Sequence, residues 1–381
     1  MASSFKVLIA GGSITGLLLA IMLERNNIDY LVLETYPEIA PQTGASIGLL
    51  PHGFRILGQL ECYKALCEYP NGEKLWDMNN VSNRLTARAF INRQTFIQTL
   101  YDKVQDKTKV LTSKSVKAVD ISNPDFVRVI TTDGSSCSGD ILVGADGIYS
   151  TTGHWFRARY LEEKSLSANY CCVFGISHHI PGISKCTFHH TLNEKFSFLI
   201  ANGPDDRTYF FLFEHLGKIF HGSETSRFTE KELHEIVNRH LDDPITPDFK
   251  FCDIYSRRIR AVMTPLEENA SLGGSSHKVL PLTGHGGNSA SKQQPVLPTL
   301  LSRLSQEDLA SALETVQQTR IPRVSKLVKD THRQQKIEVW IRDYSPAVSL
   351  DMLPLPERPR LVPYQDELER GTSRRKVVAL L

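Results

Sequence analysis

A glycine-rich turn set between two apolar runs constrains this chain more than any other stretch. In FKVLIAGGSITGLLLAIMLERNNIDYLVLE, residues 5–34, the run Val7, Leu8, Ile9 breaks into Gly11, Gly12 and Gly16. It continues through the apolar segment Leu17 to Leu23 and returns as Tyr30, Leu31, Val32, Leu33. The pattern predicts strand, tight turn, buried helix and second strand. Glu34 closes the unit about twenty residues past the turn, where a βαβ fold keeps the acid that accepts ribose hydroxyls. Small residues let the backbone approach a pyrophosphate, whose charge rests on the free N–H groups and positive dipole end of the helix. Ser13 stands where the middle glycine of G-x-G-x-x-G belongs; its hydroxyl can donate to a phosphate oxygen, while its Cβ limits the approach of the backbone. The stretch reads as a dinucleotide-binding unit, with an ordinary strand-to-helix turn as the alternative.

Composition narrows the partners. Lysine and arginine number 44 against 42 aspartates and glutamates, so no global field favours nucleic acid or an anionic membrane. The 7 cysteines form no C-x-x-C pair, which fits buried thiols in a reducing compartment. MASSFK leads into the first strand without the apolar region of a signal peptide, and no apolar run is long enough to cross a membrane. The expectation is an intracellular protein, cytoplasmic or peripheral to an internal membrane.

Farther along, Ile56, Leu57 and Leu60 recur at helical spacing and predict a helix over 54–65, preceded by a loop carrying Gly44 and Gly48. INRQTFIQTLYDKV predicts a second helix with Phe96, Leu100 and Val104 on one face and Arg93 in its first turn. Strands are expected over 110–119 and 127–132, with a hairpin turn at Asp133 and Gly134. Ile141, Leu142, Val143 form a continuous apolar run of the kind found in central parallel strands, ending at Gly144, Asp146 and Gly147. From Tyr170 to Phe251 the chain turns to short alternating stretches, CCVFGIS, KCTFHHTL, FSFLIAN and TYFFLFEHL, which predict an antiparallel sheet. Thr229 and Glu232 form a capping box ahead of a helix with the stripe Leu233, Ile236, Val237, Leu241. A glycine-rich loop returns at residues 272–290, and helices are expected over 305–320 and 321–340.

The glycine turn with Glu34, Arg93, the Gly-Ala-Asp-Gly at 144–147 and the loop HKVLPLTGHGGN at 277–288 share one logic. Together with GASIGLLPHGFRILGQL, RQTFIQTLYDKV and NYCCVFGIS they resemble the FAD-dependent, aromatic-hydroxylase-like monooxygenases. Within that family they are most similar to the fungal epoxidases that act on prenylated meroterpenoids and indole diterpenes. The resemblance implies an α/β fold: an FAD-binding, Rossmann-like domain of the glutathione-reductase type with an inserted antiparallel β-sheet substrate domain. The implied division is FAD-binding segments at 1–165 and 253–340, a substrate domain at 166–252, and an extended or disordered tail at 341–381. It also implies FAD as cofactor, NAD(P)H and O2 as co-substrates, and epoxidation or hydroxylation of an apolar, prenylated intermediate. Peripheral contact with a membrane is compatible with such a substrate.

By the same resemblance, Gly11, Gly12, Ser13 and Gly16 would cradle the pyrophosphate, Glu34 the adenosine ribose, and Gly48 would lie against the cofactor. Arg93 would contact the diphosphate or ribityl side, although a surface arginine at a helix start is the alternative. Asp146 and Gly147 would shape the second half of the cleft, and Gly287 would offer a backbone N–H near the pyrimidine ring. Tyr209 is the candidate catalytic or substrate-positioning phenol. The family's Gly-Asp is Gly273 Gly274 here, and the missing carboxylate at Gly274 would weaken FAD binding by about 1.5–3 kcal/mol. Prolines in SASKQQPVLPT, residues 289–299, oppose the helix that follows in relatives. These departures leave a degenerate flavoprotein open, and the first βαβ unit alone would also suit a nicotinamide-dependent dehydrogenase. No metal site is expected, because the histidine pairs 178–179 and 189–190 point to opposite faces of their strands.

Overall fold

The computed structural model describes residues 5–42, 46–49, 51–67, 89–147, 151–153, 155, 167–183, 188–203, 206–221, 228–246, 248–267 and 377–380. Gly274, Gly287, the altered stretch at 289–299 and the helices expected over 305–340 lie outside the described residues.

Strand β1 (Lys6–Ala10), helix α1 (Ile14–Arg25) and strand β2 (Asp29–Leu33) form where the apolar pattern places them. The strands run parallel with Ala10 opposite Leu33, so both end beside the glycine turn. Residues Gly16 to Leu23 of α1 are all buried, which makes packing, not one amphipathic stripe, the source of its stability.

β3 (Ser46–Leu49) leads into α2 (Pro51–Gln59) and α3 (Cys62–Cys67). The one helix expected over 54–65 is therefore two, broken where Glu61 takes φ 57. Pro51 is tolerated at the start because the first turn needs no N–H donor from it. β4 (Ala89–Asn92) pairs with β3, and α4 (Arg93–Lys103) follows at once. The Asn92 side chain caps α4 by accepting the Gln94 N–H at 2.9 Å. Arg93 is thus the first helical residue, as its position in the sequence suggests.

The single strand expected over 110–119 is divided between two sheets. β5 (Val110–Leu111) lies parallel to β2, whereas β6 (Val116–Asp120) joins β7 (Val127–Thr131) and β8 (Ser136–Gly139) in an antiparallel sheet. The backbone of Glu34 causes the division: its N–H donates to the Leu111 carbonyl at 2.8 Å and its carbonyl accepts the Lys114 N–H at 2.7 Å. Ser113 between them takes φ 54, and the chain turns out of the parallel sheet. The expected hairpin is present, with Asp133 accepting hydrogen bonds from Thr131 and Ser135 around Gly134. β9 (Ile141–Gly144) is buried along its length and pairs parallel with the other side of β1.

A second, antiparallel sheet contains β10 (Ser167–His178), β11 (Phe188–Asn193), β12 (Phe196–Asn202) and β13 (Arg207–His221). Beyond it come α5 (Glu230–His240) and α6 (Phe251–Tyr255), then β14 (Arg258–Glu267). The order is β11-β12-β13-β10-β14, so the sheet takes its fifth strand from beyond residue 252. The sequence hides β14 because Arg258, Arg260 and Pro265 interrupt the apolar alternation; an edge strand accommodates all three. β15 (Val377–Leu380), in the stretch expected to be extended or disordered, completes the parallel order β15-β9-β1-β2-β5.

The two faces of the second sheet differ. On one, Cys171, Val173, Phe198, Ile200, Phe210 and Leu212 share a core with Leu233, Ile236 and Val237 of α5 and Phe251, Ile254 and Tyr255 of α6. The capping box holds: Thr229 Oγ1 accepts the Glu232 N–H, and the Glu232 carboxylate accepts the Thr229 N–H at 2.7 Å. On the other face, the cluster of buried residues consists, among the described residues, of strand residues alone: Tyr170, Cys172, Ile176, Leu199, Tyr209, Phe211, Phe213 and Leu266.

His240 ends α5 inside the first of these cores. Its Nδ1 lies 2.7 Å from Asp243 Oδ2 and its Nε2 3.2 Å from Glu214 Oε2, while Arg239 donates to the other Glu214 oxygen at 2.8 Å. Burial opposes protonation, but the bonds and charges of Glu214 and Asp243 prevail and raise the pKa above the ordinary histidine value. A raised folded pKa means that this stabilisation is complete below the unfolded value of about 6.5 and is lost as pH rises through the folded one. Thermal melts from about pH 6 to about pH 9 should therefore show wild type losing Tm relative to His240→Gln. Parallel curves would show that the cluster is not linked to proton binding.

Candidate cofactor site

The glycine turn is held by backbone pressed against backbone. Gly11 takes φ +108, and a Cβ there would lie 2.3 Å from the Ala145 carbonyl oxygen, just past the end of β9. A Cβ on Gly16 would lie 1.9 Å from the Gly11 carbonyl oxygen. Neither site accepts a side chain without moving main chain, which is why the sequence has glycine at both. The Gly11 N–H donates to Leu33 O at 2.8 Å and the Ala145 N–H to Ala10 O at 2.7 Å, so the ends of β1, β2 and β9 are tied together.

Glu34 is 7% exposed and organises the next layer. Its Oε2 accepts the Gly12 N–H at 2.6 Å and its Oε1 accepts the Tyr36 N–H at 2.9 Å. A carboxylate has roughly four acceptor positions, so two backbone donors leave room for ribose hydroxyls. Arg93 reaches the turn from α4: its Nη2 donates to Ser13 Oγ at 2.8 Å. Burial lowers the guanidinium pKa, while Glu34 and Tyr36 act in the opposite direction. An arginine starts so far above neutrality that it stays charged.

The residues present fit a dinucleotide diphosphate. Ser13 is the N-cap of α1 but makes no capping hydrogen bond, and the first turn of α1 carries no acid. The N-terminal dipole of α1 thus lies between the Glu34 carboxylate on the Gly12 N–H and a cation fixed by Ser13. Ser13, read from sequence as a phosphate donor, is also the partner that positions Arg93; that second role needs the tertiary structure. Gly48 lies opposite Phe90 on the β3–β4 ribbon that delivers Arg93.

Asp146 follows the end of β9, next to the main chain that Gly11 approaches, and Gly147 comes after it. The Asp146 carboxylate accepts the Thr152 N–H at 3.0 Å and hydroxyl at 2.6 Å, binding the segment after the strand to its end. The sequence marks Thr152 by nothing more than a short spacing from Asp146. Tyr209 stands apart from these groups, fully buried in the second sheet and cross-strand from Ala201 and Ile176. Among the described residues no group of three or more His, Cys, Asp or Glu side chains could hold a metal, and no helix is long and apolar enough to cross a membrane.

Comparison with known proteins agrees with this geometry. The family described as FAD binding domain matches residues 4–331. The FAD-dependent monooxygenase olcE of Penicillium canescens is 33% identical, with 93% of this chain and 90% of that protein covered. The FAD-dependent monooxygenase andE of Emericella variicolor is 35% identical over 78% of this chain and 70% of its own. Among solved structures, Klebsiella pneumoniae HpxO with FAD and uric acid has TM-score 0.68 at 20% identity, covering 88% of each chain. The 2,6-dihydroxypyridine-3-hydroxylase of Arthrobacter nicotinovorans has TM-score 0.71 at 16% identity, covering 91% of this chain and 96% of its own. These two share the fold. The chain belongs to the FAD-binding-domain family and is an FAD-dependent monooxygenase, similar to enzymes of fungal secondary metabolism.

Proposed function

We propose that this monooxygenase uses NAD(P)H and O2 to epoxidise or hydroxylate an apolar, prenylated secondary-metabolite intermediate. The observation that carries the substrate class is the second sheet's aromatic face, where Tyr170, Phe211, Phe213 and Tyr209 cluster with Leu199 and Ile176. α5 and α6 pack on the opposite face, and among the described residues the aromatic cluster contains no helical side chain. The nicotinamide-dependent dehydrogenase reading gives way to the family match.

When bound, FAD would supply the redox chemistry, with NAD(P)H as the reductant and O2 as the source of the oxygen passed to substrate and of the water released. The chain's own groups bind, orient and exclude water. Arg93, held by Ser13, offsets the diphosphate charge together with the N-terminal N–H groups of α1. Glu34 accepts ribose hydroxyls with the positions left over from Gly12 and Tyr36. Asp146 and Gly147 close the cleft from the β9 side, with Asp146 fixed through Thr152. Phe211 and Phe213, with rings parallel within 4° and centroids 6.2 Å apart, keep water from the apolar substrate. The Tyr209 phenol at the end of this row orients the acceptor carbon. By the family resemblance Gly287 would offer its backbone N–H near the pyrimidine ring, and Gly274 would present no carboxylate to the ribityl chain or ribose.

Arg93→Gln should weaken FAD binding by about ten- to a hundredfold, the equivalent of a charged hydrogen bond lost at the diphosphate, in a titration of the apoprotein with FAD. Unchanged affinity would return Arg93 to a purely structural role at the start of α4. Tyr209→Phe should leave the flavin spectrum intact and lower substrate-dependent turnover by at least about tenfold. Equal kcat in both proteins removes the phenol from the mechanism. The purified protein with added FAD should show bound flavin bands that bleach with NADPH and recover in air. A folded protein that binds no FAD would instead support decay at Gly274.

A further inference from the structure

Tyr36 stands two residues past the carboxylate assigned to the adenosine ribose. At 49% exposed it is the one aromatic among the exposed large apolar side chains of the described residues; the others, Ile219 and Ile259, belong to the second sheet. A single exposed aromatic is ordinary on a protein surface. Tyr36 differs in how its main chain is held. Its N–H donates to Glu34 Oε1 at 2.9 Å, and its carbonyl accepts the Ser113 N–H at 3.0 Å. Four residues on, the Ala40 carbonyl accepts a hydrogen bond from Gln94 Nε2 of α4 at 3.0 Å. Between these anchors, Ile39 lies against the glycine turn: a Cβ on Gly12 would come 2.8 Å from Ile39 Cδ1. The segment from Tyr36 to Ala40 is thus a strap fastened along the cofactor edge, and an open ring projects from its first residue.

A ring on a fixed base loses little freedom when a ligand packs against it. Its phenol also acts electrostatically on the Arg93 guanidinium, which places it within reach of the turn that Arg93 meets. The ligand chemistry follows from covalent connection. In adenosine the purine is joined to the same ribose whose hydroxyls Glu34 would accept, so the base leaves the Glu34 carboxylate within one sugar ring. The Tyr36 N–H already sits on that carboxylate. A purine offers a flat apolar face, and such faces stack on aromatic side chains.

We propose that Tyr36 is the adenine platform of the cofactor site, its ring packing against the purine of FAD while Glu34 holds the ribose. This rests on Glu34 receiving the adenosine ribose and is independent of the substrate. It adds a second point of hold on the adenosine half, made by a side chain in place of backbone and charge.

The test titrates the full-chain apoprotein with FAD, with ADP, which carries only the adenosine end, and with FMN, which lacks it. Tyr36→Ala keeps both main-chain hydrogen bonds and removes the ring. It should lose about five- to thirtyfold in affinity for FAD and for ADP alike, with FMN affinity and the Tm of the apoprotein unchanged. Tyr36→Phe should stay within about threefold of wild type, because the ring and not the hydroxyl makes the contact. Unchanged FAD affinity in Tyr36→Ala, or equal weakening of FAD and FMN, would overturn the assignment. So would a loss seen only in the NADPH concentration that half-saturates flavin reduction, which would give the ring to the adenine of the co-substrate. Wild type that binds FAD no better than FMN and does not bind ADP would instead remove the Glu34 ribose assignment, and this inference with it.

Discussion

Main chain pressed against main chain at the first glycine turn is the constraint on which the parallel sheet depends. Gly16 sits so close to the Gly11 carbonyl, and Gly11 so close to Ala145, that any side chain would drive these segments apart. The same contacts set the N-terminus of α1 against the ends of β1, β2 and β9. Ligands of open α/β sheets bind outside the carboxyl ends of the strands, and here that edge is built from backbone. The turn thus makes both the core and the cofactor edge out of one piece of geometry.

Glu34 extends that edge outward. Its side chain accepts the Gly12 and Tyr36 N–H groups, and its main chain captures Leu111 and Lys114. One residue therefore positions the turn and diverts the chain from the parallel sheet into the β6–β8 sheet. Arg93 completes the arrangement from a different direction, carried by the β3–β4 ribbon and fixed by Ser13. A buried carboxylate and a partly buried guanidinium beside an uncapped helix N-terminus suit a ligand that presents both ribose hydroxyls and a diphosphate.

The two faces of the second sheet are packed differently. Helices α5 and α6 stabilise one side through ordinary apolar burial, reinforced by the Thr229 capping box and the His240 cluster. The other side is a cluster of buried residues that, among the described residues, comes from strands alone and includes Tyr170, Tyr209, Phe211 and Phe213.

Local physics was legible in the residues. The β1–α1–β2 unit, the turn at Asp133 and Gly134, the capping box and the start of α4 at Arg93 each follow from neighbours a few positions apart. The resemblance of separated motifs was enough to name FAD chemistry. What could not be read locally were the division of residues 110–119, set by hydrogen bonds to Glu34, and β14, whose arginines and proline suit an edge that exists once β10 is beside it. His240 looks like a solvated helix end until Phe196 and Glu214 cover it. By itself the sequence determined the βαβ unit and its cofactor class, because glycine spacing and apolar period are properties of adjacent residues. Tertiary structure alone decided that Arg93 meets Ser13, and that Tyr209 and Leu199 share a face, because those relations depend on strand register and on segments distant in the chain.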